Sequence, residues 1–452
     1  LLTAAGDPTR RPWLTLALLA AATVLLGVAV RAAARRPLST RALLVTAALL
    51  RLVVLPLPPS LSTDVWRYLW DGRVALHRGD PYLVAPDDPR LAPLRDRLWQ
   101  RVEHRDLPTV YPPLALALFV APAALPPLAG LLAWKLLVCL ADLGACALLM
   151  RLAAAGGWPA HRALWYAAHP LVALEVAGMG HLEPLGVAAA LLCALLLSWR
   201  RPAAAGAAAA AAILVKLAPL AALPLWARQA RAASAGAGER PVAGRGDAWR
   251  FLLPAAGLAA LALAPVAVAV RGVPRGLAEY AVRWEFGGLL HEPLWRLLAA
   301  AGAPEAVKHG LDLMKEWVGM HELWNRAYPW AYPQLLSRLL LAIAAAMVVM
   351  RSLLSRHPGW NDPVRGGAAL FGGLLVCSPT VYPWYLLWVL PWSALAARAP
   401  WLWVAAAAPL LYLPVLVGVA LWPWVHLAVW GPFVLLWLVE RRRGGGLALR
   451  NG

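Results

Sequence analysis

The sequence predicts an all-α polytopic membrane protein, and three observations carry that expectation. Of 452 residues, 61% are hydrophobic and only 14% charged, against roughly 25% charged in soluble domains. Long apolar runs recur from residue 13 to residue 439, more hydrocarbon than so few charges could keep in water. The net charge of +19, from 42 basic and 23 acidic residues, sits in short clusters beside those runs. Examples are Arg31-Arg35-Arg36, Arg200-Arg201, Arg228-Arg231, Arg351-Arg356 and Arg441-Arg442-Arg443. This is the positive-inside pattern of cytoplasmic loops, so nucleic acid is not an expected partner. Cys139, Cys146, Cys193 and Cys377 lie inside apolar segments, where they suit helix packing better than metal binding or disulfides.

The spans follow in order. Residues 13–30 are long for the apolar core of a signal peptide and are followed by Arg31, Arg35, Arg36 and Arg41, so a retained first helix is expected. Further spans are expected over 42–57, 133–150, 163–178, 185–198, 251–270, 335–350, 366–377, 385–396, 401–419 and 426–439. Several fall short of the ~20 residues a straight crossing needs. Residues 114–128 contain Pro122, Pro126 and Pro127 and fit either a crossing or a short re-entrant or interfacial helix. Residues 203–227 have arginines at both ends and Lys216-Leu217-Ala218-Pro219 in the middle. A single crossing cannot keep both ends in the cytoplasm, whereas a hairpin of two short helices with Lys216 at its tip can. The result is a single integral membrane domain over 1–452 with about 11–13 transmembrane helices.

Charge parity then puts 31–41, 151–162, 200–201, 228–250, 351–365, 398 and 441–443 inside. It puts the N-terminus, 58–113, 180–184, 216, 271–334, 378–384 and 421–424 outside. Residues 228–250 form a cytoplasmic linker loop, small and flexible in composition over 232–246. The two long external loops are 58–113 and 271–334. In the first, Ser62-Thr63-Asp64 reads as a helix start, and Asp64, Arg67, Tyr68 and Asp71 share one helical face. Trp66 and Trp70 share another, as in a helix lying at the membrane interface. In the second, Val307, Leu311, Met314 and Val318 recur at helical spacing, again an interfacial pattern. The 25 tryptophans against 5 phenylalanines favour the ring that anchors at headgroup level.

Ionisable residues at membrane depth are costly and raise a functional question by default; here they are Asp142, His169, Glu175, His181, Glu183 and Lys216. Asp64, just past a span, fits two roles: general base toward an attacking hydroxyl, or helix cap. His181 and Glu183, in Gly178-Met179-Gly180-His181-Leu182-Glu183, sit at an external turn and suit a hydrogen-bonding or substrate-orienting pair. They lack the further ligands of a metal site. Lys216 fits a point-charge partner for a lipid phosphate or a side chain snorkelling to the interface. Asp142, on the same span as Lys135, fits a polar contact between helices. The aromatics of Tyr111-Pro112-Pro113 and Tyr382-Pro383-Trp384-Tyr385 fit either a sugar or isoprenoid site or plain interface anchoring. No P-loop, GxGxxG, GxSxG or HExxH occurs, so nucleotide-driven and metalloprotease chemistry find no support.

Several motifs together carry a resemblance. They are Leu61-Ser62-Thr63-Asp64-Val65-Trp66-Arg67-Tyr68-Leu69-Trp70-Asp71-Gly72-Arg73, Gly79-Asp80-Pro81-Tyr82, Tyr111-Pro112-Pro113 and His169-Pro170 with Glu175 and His181-Leu182-Glu183. Val215-Lys216-Leu217-Ala218-Pro219, Tyr280 with Arg283-Trp284-Glu285-Phe286, and Ser378-Pro379 with Tyr382-Pro383-Trp384-Tyr385 complete the set. In this order, over most of residues 40–395, the chain resembles the GT-C glycosyltransferases, specifically glycosyltransferase family 87 and related polyprenol-phosphate-mannose-dependent mannosyltransferases. Many relatives carry two adjacent acids where this chain has Thr63-Asp64. Asp80 stands where Asn is usual, Glu183 where Asp is usual, and Gly287 where Asn follows the Phe.

The resemblance implies a GT-C-like bundle in the bacterial cytoplasmic (inner) membrane with its active site outside, serving the cell envelope. It implies inverting transfer of a hexose, mannose by family, from a polyprenyl-phosphate donor to a hydroxyl on a glycan or glycolipid acceptor. Asp64 is the matching catalytic base, and the leaving phosphate calls for a cation, with Lys216 preferred and Arg67 or Arg73 as further candidates. Arg67, Tyr68, Asp71, Arg73, Tyr82, Tyr111, His181, Glu183, Lys216, Tyr382 and Trp384 are the expected substrate-binding set. No cofactor or metal is expected, and membrane lipid is an expected partner. Two other classes compete: a lipid-polymer ligase, with Arg67, Arg73 or Arg283 on its acceptor side, and a lipid or solute transporter, which would want inverted repeats.

Overall fold

Runs of Leu, Ala and Val with few charges form six helices, among the described residues, that are long and apolar enough to cross a membrane. These are Pro12–Ala33, Pro127–Ala155, Ala248–Ala269, Pro333–Leu354, Ala399–Val417 and Leu421–Arg443. Three of them start on proline, whose missing N–H is no loss in a first turn. Shorter apolar helices, Pro113–Ala123, Glu183–Ser198, Pro202–Val215 and Pro363–Val376, join Thr40–Val54 in the bundle. The computed structural model describes residues 6–35, 38–234, 245–318 and 328–448. Among the described residues, β pairing is limited to isolated bridges from Phe286 and Gly287 to Thr380. The chain is an all-α polytopic membrane protein, but 11–13 crossings are reached only if the short helices count.

Proline explains why the short ones are short. The straight span expected over 163–178 is broken. Leu164–Ala167 stops, His169 is extended (φ −69°, ψ 128°), Pro170–Ala173 restarts, and Leu174–Gly178 widens into a π-turn. Pro170 offers no N–H and holds its predecessor out of the helical region. The span expected over 385–396 is likewise split into a 3₁₀ turn, Pro383–Trp388, and the helix Leu390–Leu395. Broken backbone at membrane depth is tolerated where protein covers it, and residues 171–184 are buried throughout. Residues 114–128 resolve into Pro113–Ala123 and the start of Pro127–Ala155.

The expected hairpin has its break at Lys216, extended (φ −152°, ψ 136°) between Pro202–Val215 and the 3₁₀ turn Ala218–Ala222, which leads into Leu223–Ser234. The first arm is rich in alanine so that it can lie close to its neighbour: a Cβ on Gly206 would sit 2.2 Å from the Phe251 carbonyl oxygen. Such small-residue contacts are the usual basis of close helix packing in membranes. On the second arm Arg228 donates to the carbonyls of Ser352, at 3.2 Å, and Ser355, at 2.5 Å. The middle of the 228–250 linker, residues 235–244, and residues 319–327 of the 271–334 loop lie outside the described residues.

One expectation about the 58–113 segment needs correcting. Trp66 and Trp70 do not lie at a lipid interface; they are 8% and 1% exposed. Helix Asp64–Leu76 is instead sandwiched inside the protein. Its Gly72 lies so close to Pro113–Ala123 that a Cβ there would come within 2.4 Å of the Phe119 carbonyl oxygen. The amphipathic pattern predicted one buried face, but the glycine lets the other face bury as well. Helices Arg275–Arg283, His291–Ala300 and Ala303–Val318 form in 271–334, the last exposing Met314 and Val318 as an interfacial helix would.

A fully buried polar knot ties three segments together. Arg51 of Thr40–Val54 donates from Nε to Asp142 Oδ2 at 2.9 Å, and Tyr166 donates to Asp142 Oδ1 at 2.7 Å. Arg51 also donates to the carbonyls of Ala47 and Ala167. Asp142 is thus an interhelical contact.

Candidate active site

The helix that presents Asp64 is capped by other residues. The Asp64 amide donates to Ser62 Oγ at 3.3 Å, and Thr63 holds the cap position without a side-chain bond. The carboxylate is therefore left facing a cavity of about 640 Å³, which Glu103, Glu183 and Lys216 also line. Beside it, His181 Nε2 lies 4.0 Å from Asp64 Oδ2 and 3.1 Å from Ser62 Oγ. His181 is fixed from behind. Its Nδ1 meets Glu175 Oε2 at 2.9 Å, and Tyr412 donates its hydroxyl to both Glu175 oxygens at 2.8 and 3.0 Å. Trp384 stacks on the imidazole, centroids 4.0 Å apart.

Two adjacent residues on Pro127–Ala155 hold the two loops in register. Trp134 donates from Nε1 to the Gly180 carbonyl at 2.7 Å, and Lys135 donates to the carbonyls of Leu55 and Leu57 at 2.7 and 2.8 Å. Gly180 has φ +77°, a left-handed turn that suits glycine and brings His181 over Ser62. On the next segment Lys216 forms an ion pair with Glu183 Oε1 and lies 3.9 Å over the Tyr385 ring. The other Glu183 oxygen, Oε2, is buried with no hydrogen-bond partner.

Charge is skewed by this enclosure. Burial raises the Asp64 carboxyl above its ordinary range; the charges of His181 and Lys216 oppose that rise and those of Glu183 and Glu103 add to it. For His181, burial acts downward, but the bond to Glu175 and the nearby carboxylates outweigh it and raise the imidazole above its usual value. A carboxylate with a raised proton affinity beside an enclosed space is suited to taking a proton. No group of three or more His, Cys, Asp or Glu side chains that could hold a metal occurs among the described residues.

The residues singled out by sequence divide into three groups. Asp64, Arg67, Tyr68, Tyr111, Glu183, Lys216, Tyr382 and Trp384 line the cavity, and His181 backs it. Asp71 and Tyr82 stand one layer behind: Asp71 accepts from Arg67 Nε at 2.8 Å, and Tyr82 donates to the Tyr111 carbonyl at 2.8 Å. Arg73 is outside it, paired with Asp96 at 2.8 Å. Arg67 itself is committed to Asp71 and to the carbonyls of His104 and Leu107, which makes it a brace for the 104–107 loop. Sequence reasoning did not single out Tyr412 or Glu103. Tyr412 sits in a leucine- and proline-rich run 237 residues from Glu175, and no local pattern marks it.

Residues 9–231 match the family model described as Alpha-(1->6)-mannopyranosyltransferase, N-terminal domain, of the MptA_B family. That stretch contains Asp64, Glu175, His181, Glu183 and Lys216, while Tyr382, Trp384 and Tyr412 lie beyond it. No curated protein and no solved structure matches the chain. Over residues 9–231, then, the chain is similar to a GT-C-like mannosyltransferase domain, and that match supports mannosyl transfer as its function.

Proposed function

We propose that the protein is an inverting mannosyltransferase of the bacterial cytoplasmic membrane that works on its external face. It takes mannose from a polyprenyl-phosphate donor and passes it to a hydroxyl of a glycan or glycolipid, the 6-hydroxyl of a mannose if the family's linkage carries over. The observation that carries this reading is the meeting of Asp64 and Lys216 in one mostly apolar cavity.

The acceptor oxygen attacks the sugar C1 as the bond from C1 to the phosphate oxygen breaks. The hydroxyl proton passes to Asp64, and the bonding pair leaves with the lipid phosphate. A base of this kind is worth about 10²–10⁴ in rate. Lys216, held in place by its ion pair with Glu183, faces the charge that develops on the leaving oxygen. The unpartnered Glu183 oxygen accepts a sugar hydroxyl. His181, held by Glu175, keeps the Asp64 carboxylate oriented and partly charge-balanced. No cofactor or metal enters this scheme, since the phosphate ester itself supplies the driving force.

The test is reconstitution in proteoliposomes with radiolabelled polyprenyl-phosphate mannose or with a radiolabelled nucleotide mannose. Label should reach the acceptor from the lipid donor alone. Direct transfer from the nucleotide sugar, with no lipid-linked intermediate formed, would overturn the donor assignment.

A further inference from the structure

The main cavity does not end at its aromatic rim. His104, Leu107, Trp284 and Tyr382 line it on one side and, on their other side, line a second hollow of about 360 Å³ together with Asp106, Arg283 and Glu285. The two spaces differ in chemistry. The larger is walled mostly by aromatic and aliphatic side chains, as a lipid-linked donor needs. The smaller is ringed by a carboxylate pair, a guanidinium and an imidazole. Its volume is at the low end of the roughly 300–1,000 Å³ typical of small-molecule sites, too small for a folded partner.

The partition between them is rigid. Arg67 holds the His104 and Leu107 carbonyls at 3.2 and 2.8 Å, and Trp284 lies against His104 with ring centroids 4.5 Å apart. Thr380 Oγ1 donates to the Trp284 carbonyl at 2.6 Å. Tyr382 is stacked between Phe286 and Trp384, each 4.5 Å away. Glu285 is aligned by His291 at 2.8 Å and Arg338 at 3.7 Å while staying 44% exposed. Arg283 is 59% exposed and is steadied by Glu279 at 2.7 Å.

A pyranose ring presents an apolar C–H face and an edge of hydroxyls. Flat aromatic side chains complement the face, while carboxylates accept from hydroxyls and a guanidinium donates to them. We propose that this second hollow is an acceptor subsite: Trp284, Arg283, Asp106 and Glu285, with the edge of Tyr382 as a wall, hold a hexose of the acceptor chain next to the one whose hydroxyl reacts at Asp64. The proposal rests on the transfer reading above and deepens it. The acceptor is a saccharide end of at least two sugars, and it enters through the polar hollow while the donor occupies the apolar one.

The probe is free mannotriose, followed by saturation-transfer NMR on the full chain in nanodiscs. Wild type and Asp64→Asn should bind it alike, and Arg283→Ala and Trp284→Ala should each weaken binding at least tenfold. Arg283 is exposed, so that variant reports even if Trp284→Ala fails to fold. In transfer assays, an alkyl mannobioside should have an acceptor KM at least tenfold below that of the alkyl mannoside. Both variants should erase that difference, and Arg283→Ala, at a residue that does not line the donor cavity, should leave the donor KM unchanged. Equal use of the two acceptors by wild type, or mannotriose binding indifferent to both substitutions, would overturn the subsite. If wild type transfers from no polyprenyl-phosphate sugar yet binds mannotriose through Arg283 and Trp284, the donor reading falls and the subsite stands.

Discussion

The molecule builds two buried clusters from the same residue types, and they are finished differently. In the Arg51–Asp142–Tyr166 knot both Asp142 oxygens are bonded and Arg51 is shared between a carboxylate and two carbonyls. Arg51 and Asp142 are 2% and 0% exposed. In the cluster of Asp64, Glu175, His181, Glu183 and Lys216, the inner members are as tightly held, but the outer ones are not. Asp64 is 36% exposed to the cavity, Lys216 is 26% exposed, and one Glu183 oxygen has no partner. A buried cluster closed off from any cavity stabilises a packing arrangement; one whose charged groups open onto a cavity has positions that a substrate can complete. Burial and charge alone do not separate scaffold from chemistry. Access to a cavity does.

The sharpest way to break this comparison is at the closed cluster. Asp142→Ala strands Arg51 in the interior and should cost about 3–5 kcal/mol of stability, read as a loss of thermal stability and of detergent-extracted yield. Transfer per folded molecule should persist. Next, Lys216→Ala removes a charged partner worth about 1.5–3 kcal/mol, so the transfer rate per folded molecule should fall on the order of tenfold to a hundredfold; Glu183, 1% exposed, loses its partner, so some thermal stability goes with it.

Acidity tests the open cluster alone. Because the Asp64 carboxyl is raised, transfer should fall on acidification at a pH above that at which an ordinary aspartate titrates. The raised His181 stabilises the fold fully below the ordinary imidazole value near 6.5, and this contribution disappears as pH rises through the higher folded value. His181→Gln should abolish that alkaline decline in denaturation profiles. The smallest effect belongs to Arg73→Ala. Its partner Asp96 is 41% exposed, so the pair is worth about 0–1 kcal/mol, and transfer should stay within about twofold of wild type.

Much of this was legible in the residues. Apolar runs and arginine placement gave the bundle, and Lys216 between two arginine ends gave the helix break that the structure has. Helical periodicity put Asp64, Arg67, Tyr68 and Asp71 on one face, but a face does not name its partner. Arg67 turned out to brace the 104–107 loop, and Arg73 to hold Asp96. Trp66 and Trp70 are buried, not interfacial, because Gly72 allows an approach that a helical wheel does not show. The Tyr412–Glu175 bond joins positions 237 apart, through backbone broken at Pro170, and only the fold reveals it.

The central claim is that the open cluster performs the reaction and the closed one holds the bundle. It is tested most directly by measuring mannose transfer per folded molecule for Asp64→Asn and Asp142→Asn in the same membranes. Asp64→Asn should lose about 10²–10⁴ in rate at wild-type thermal stability, while Asp142→Asn should lose stability and keep its rate per folded molecule. An active Asp64→Asn, or an inactive but fully stable Asp142→Asn, would contradict the account.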